Sequence, residues 1–107
     1  MIYISTIQWF YLFEKGGTQS GEVKINGKTI EVSAPNTHGY DAVLYRGTEV
    51  APGHYTLRED GWSAPFKGPH ATLHRLNEHS EFLEGYFTCE GEEGMWRIKL
   101  GTVKGKK

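Results

Sequence analysis

The chain holds a single cysteine, Cys89, among 107 residues, so no internal disulfide can form. One thiol fits a reducing compartment better than an oxidising one, and a cytoplasmic location is the expectation. Long apolar runs are missing too. The most apolar stretch, Ile2 to Phe13, is broken by Gln8 and followed by Glu14 and Lys15 rather than a small-residue cleavage site. It is too short to cross a bilayer as a helix, so no membrane is expected as a partner. No segment keeps a helical period for about ten residues, which argues against a helical or doubly wound framework. Nor does one sign of charge dominate: 12 basic and 13 acidic side chains leave a net charge of −1. Nucleic acid is therefore not an expected partner.

What is present is glycine and aromatic area. Fourteen glycines and four prolines punctuate short apolar runs, and 13% of the residues are Phe, Trp or Tyr. Turn signals at short, regular intervals predict an all-β domain: a small antiparallel barrel or a compact sandwich of about seven to nine short strands, with little or no helix. We read residues 1–103 as one domain and 104–107 as a basic tail. Large aromatic side chains let a core of this size form without a metal or cofactor, and none is expected.

Val23 and Ile25 alternate with Glu22 and Lys24, and Ile30 and Val32 with Thr29 and Glu31. Asn26-Gly27 between them predicts a two-residue hairpin turn of the kind that needs positive φ. A second hairpin is expected from Phe82 to Cys89 and Met95 to Leu100, joined by 90–94, with Gly85 marking a bulge or a barrel corner. Asp41 to Tyr45, His54 to Arg58 and Ala71 to Leu76 read as further strands, and Trp62 to Pro69 as a loop. Asn77 to Leu83 leaves room for one helical turn. The opening strand is apolar on both faces, so it is either central or packed against a second copy; homodimerisation is one expectation. Charge is unevenly placed. Six acids and no Lys or Arg lie between Glu78 and Glu93, whereas Arg97, Lys99, Lys104, Lys106 and Lys107 follow without an acid. This pattern fits a solvated hairpin and tail.

For chemistry, His70 and His74 share a strand face and His79 follows, yet no Cys pair or His-Glu motif accompanies them, so no metal site is expected. The carboxylates of Gly91-Glu92-Glu93-Gly94 lack the alternating oxygens of a calcium loop. Cys89 and His74 form the one conceivable nucleophile and base. The order Pro52-Gly53-His54-Tyr55, then His74, then Cys89 resembles the landmarks of L,D-transpeptidases, which would make Cys89 the nucleophile and His74 its partner. That family's Ser/Thr-x-Gly-Cys signature is here Tyr86-Phe87-Thr88-Cys89, so the likeness is one of order alone. Leu83, Gly85, Phe87 and Cys89 alternate together, as a small hydrophobe on an apolar face would.

Asn36, His38, Tyr40 and Asp41 form a polar stretch after Pro35. With His54, Trp62, His70 and Arg75 they could line one barrel end, offering stacking faces and hydrogen bonds to a small polar ligand such as a sugar, nucleotide or anion. The expected function is thus a non-enzymatic binding domain for such a ligand or for a protein partner. The alternatives are an interaction protein acting through homodimerisation and the Cys-His enzyme.

Overall fold

A computed structural model describes residues 1–11, 16–34, 43–59, 70–89 and 92–104. The described chain forms eight strands: β1 (Ile2–Tyr11), β2 (Gly17–Asn26), β3 (Thr29–Ala34), β4 (Val43–Ala51), β5 (His54–Glu59), β6 (His70–His74), β7 (Phe82–Cys89) and β8 (Glu92–Val103). Each pairs antiparallel with its neighbour in sequence, and β8 returns to β1, so the sheet closes into a barrel. Closure removes both free edges, which settles the barrel against the sandwich. Asn77–Leu83 contributes a turn and the start of β7 rather than a helix.

Alternation along the strands sorts the side chains. Ile7 and Trp9 of β1, Val23 of β2, Ile30 and Val32 of β3 point inward and are buried. So are Tyr45, Tyr55, Leu57, Leu73, Leu83, Phe87, Trp96, Ile98 and Leu100. Rings fill the middle. The Trp9 and Trp96 rings stack at 5.2 Å, and Phe87 meets Trp9 edge-on at 5.0 Å. Trp9 Nε1 donates to Gln19 Oε1 at 3.1 Å, so the buried indole is satisfied from inside the core. The outer wall carries Lys24, Glu31, Arg46, Arg58, Glu84 and Arg97. An apolar interior and a charged wall are the reverse of a membrane barrel, whose apolar band faces outward. Among the described residues no helix is long and apolar enough to cross a membrane.

Several local expectations shift. The first hairpin is present, but Asn26 pairs with Thr29, so the turn residues are Gly27 and Lys28, one position later than Asn26-Gly27. Gly27 has φ 63°, a value its missing Cβ permits, and it occupies the first turn position. β2 begins at Gly17, five residues before the alternation becomes legible. Gly85 is no bulge, since β7 keeps register with both neighbours. It is a corner: a Cβ there would sit 1.9 Å from the Thr72 carbonyl oxygen. The register shifts lie instead between Tyr3 and Ser5 and between Glu49 and Ala51. Part of the uneven charge is paired between the adjacent strands β7 and β8. Glu84 faces Arg97, and their side chains meet at 3.6 Å.

The up-and-down order sends connections alternately to two ends. One end holds the turns Asn26–Thr29 and Ala51–His54 and the link from His74 to Phe82. At the other end lie the strand termini Tyr11, Gly17, Ala34, Val43, Glu59, His70, Cys89 and Glu92; segments 12–15, 35–42, 60–69 and 90–91 lie outside the described residues.

Candidate functional site

The turn end gathers polar side chains onto strand termini. β5 starts at His54, directly after the Pro52-Gly53 turn, and β6 stops at His74. Antiparallel register sets the two histidines opposite each other. Both face outward, and His54 Nδ1 approaches His74 Nδ1 to 2.5 Å with the rings inclined at 73°. The backbone behind them is tied down: Arg75 N donates to the Gly53 carbonyl at 2.7 Å, and Gly53 N donates to Glu49 Oε2 at 3.2 Å.

A second group caps the barrel interior at this same end. Tyr55 is buried, and burial is the main cause that raises its phenol above the ordinary tyrosine range. The Glu49 carboxylate adds to the rise, Tyr3 adds a little, and the Arg75 guanidinium opposes it. Arg75 Nε is held by the Ser80 carbonyl at 3.0 Å. A carboxylate, a guanidinium and two phenols thus stand within electrostatic reach at the rim of an apolar core. Donors, acceptors and ring faces in one place suit a polar, hydroxylated molecule.

The residues singled out from sequence divide between the ends. His54 and Arg75 belong to the turn end, whereas His70 opens β6 at the other end, where Thr88 Oγ1 lies 3.1 Å from its Nδ1. Asn36, His38, Tyr40, Asp41 and Trp62 lie outside the described residues. His70 and His74 do share the outward face, four residues and about 13 Å apart along β6. His74 pairs across the strands with Glu84 on its other side. The backbone of Cys89 lies five residues beyond Glu84, about 16 Å along β7, so the register does not bring His74 and Cys89 together. The Cys89 side chain is outside the described part.

Sequence reasoning missed Tyr3, Glu49 and Tyr55. Glu49 had a signal: it falls in step with Tyr45 and Gly47, which makes it an acid on the inward side of a strand. The His54–His74 contact had none, because twenty residues separate them and only the register of β5 on β6 joins them.

The outer wall has one further feature. Phe10, Met95 and Tyr86 form a single cross-strand row over β1, β8 and β7, exposed by 49%, 59% and 49%. Large apolar side chains side by side on solvent-facing strands mark a contact surface more often than isolated ones do. No protein-family model, curated protein or solved structure matches the chain.

Proposed function

We propose that this protein is a non-enzymatic binding domain that takes a small polar ligand at the turn end of its barrel. The supporting observation is the grouping of Tyr3, Glu49, Tyr55 and Arg75 at the rim of an apolar core. Glu49 supplies an acceptor and Arg75 a donor, both within electrostatic reach of the Tyr55 phenol, so a sugar-like molecule with both kinds of group suits the rim better than a bare anion. His54 stands at the same end but faces outward, away from this rim. A cytoplasmic location, inferred from the lone thiol, belongs to the same proposal.

A thermal-shift screen of sugars, nucleotides and simple anions tests it. A ligand at 100 times its dissociation constant stabilises by about 2.7 kcal/mol. Sugar-class stabilisation that is lost in Glu49→Gln supports the reading; a flat screen sinks it.

The Phe10–Met95–Tyr86 row favours a second reading, in which the partner is another copy of this chain. Met sulfur packs well on aromatic rings, and two such rows offer each other that chemistry. In a two-fold pair every residue of the row would meet its own patch.

A further inference from the structure

We propose that His54 and His74 together hold one divalent transition-metal ion on the outer wall, between their Nδ1 atoms. The inference goes beyond the ligand reading above and does not rest on it, because the pair faces outward and the rim residues face inward.

Two imidazoles on neighbouring strands aim the same ring atom at one point, with Nδ1 of His54 2.5 Å from Nδ1 of His74. When both rings are neutral, one of these nitrogens must carry the proton and the other must accept it. The lone pairs that trap one proton can equally trap one metal ion. Imidazole binds zinc at about 2.0–2.1 Å, so a tetrahedral ion needs the two nitrogens roughly 3.3 Å apart. Rotation of two exposed side chains supplies that movement without displacing a strand. Both side chains are exposed, with the rings inclined at 73°, so water can fill the remaining coordination positions.

The frame is rigid where a chelate needs it to be. His54 follows a tight turn, His74 ends a paired strand, and the Gly53–Arg75 hydrogen bond locks the two termini together. Glu84 stands opposite His74 on the far side and places negative charge in the same row, although Arg97 draws on it. Among the described residues no three potential ligands cluster. The ion is accordingly bidentate to protein and exchangeable, unlike a closed structural zinc. Copper(II) should bind tighter than zinc or nickel, following the general order for nitrogen sites.

Isothermal titration of the intact chain with copper chloride, and separately with zinc chloride, is the test. One equivalent should bind, with copper tighter. His54→Ala and His74→Ala should each lower the affinity at least tenfold, while His79→Ala and Cys89→Ser leave it unchanged. Nitrogen NMR of the imidazoles supplies a readout free of folding artefacts: zinc should move the Nδ1 signals of His54 and His74 and spare that of His79. Absent binding, full affinity in either alanine variant, or loss in the His79 or Cys89 variant would each overturn the proposal. The sugar screen reads a different set of residues, so failure of one idea leaves the other standing.

Discussion

The indole N–H of Trp96 donates to the Thr72 carbonyl at 2.9 Å, reaching from β8 past β7 to β6. It can do so because the residue directly opposite Trp96 is Gly85, whose side has no Cβ to block the ring. One missing carbon therefore sets both a sheet corner and a cross-barrel hydrogen bond.

Replacing Gly85 by alanine forces a carbon against the Thr72 carbonyl and displaces the Trp96 indole. Stability should fall by about 2–4 kcal/mol, at the upper end of ordinary single substitutions. Urea unfolding followed by tryptophan fluorescence measures it. A loss within about 0.5 kcal/mol would refute the corner role.

Gln19→Leu should cost about 1–3 kcal/mol, because the Trp9 indole N–H then stays buried without its acceptor. Combining it with Trp9→Phe should cost less than the two single losses added together, since the double variant leaves no orphaned donor. A four-way denaturation cycle reads the coupling. Strict additivity would mean that the bond contributes nothing of its own.

Tyr55 links stability to alkaline pH. Its phenol titrates higher in the folded protein than in the unfolded chain, so above about pH 10 the folded state binds more protons. Stability from this group is complete below the unfolded value and drains away as pH rises through the folded one. The unfolding midpoint should drop between about pH 10 and higher values, and Tyr55→Phe should flatten that decline. A variant with an unchanged alkaline slope would remove Tyr55 from the account.

Met95→Lys tests the outer row. If a second copy docks there, sedimentation velocity across a concentration series should show a dimer for the native chain and a monomer for the variant. The substitution lies on an exposed side chain, so unfolding stability should stay within about 0.5 kcal/mol. A native chain that remains monomeric at high concentration argues against the self-association reading.

The barrel was legible where one face is oily and the other wet. Val23 to Val32 and Trp96 to Leu100 declare their strands because every second residue must leave water. β2 before Gly21 was not legible: Gly17, Thr18 and Ser20 carry little apolar signal, and pairing with β1 holds them as strand. The opening strand reads as two-sided because Ile7 and Trp9 fill the core while Ile4 and Phe10 stay about half exposed outside. Turn chemistry located both hairpins but missed the first turn by a residue, since Asn26 and Gly27 both tolerate the needed φ and only pairing decides which is used. It also set the second connection at 90–94, although β8 already pairs with β7 from Glu92. The candidate site was least legible of all. Its members come from β1, β4, β5 and the segment after β6, and rim geometry rather than any motif assembles them. His54 and Arg75 were named from sequence for their chemistry, with neighbours different from those the structure supplies.

The last seam of the barrel joins β8 to β1, from Tyr3 opposite Val103 to Tyr11 opposite Gly94. During synthesis β1 must therefore wait until all seven later strands have left the ribosome before it meets its second partner. Until then Trp9 and Ile7 lack part of their cover and two ribbon margins stay open, the condition under which folding intermediates are prone to aggregate. Any truncation that removes β8 should convert a self-limiting cylinder into an adhesive ribbon that precipitates when expressed.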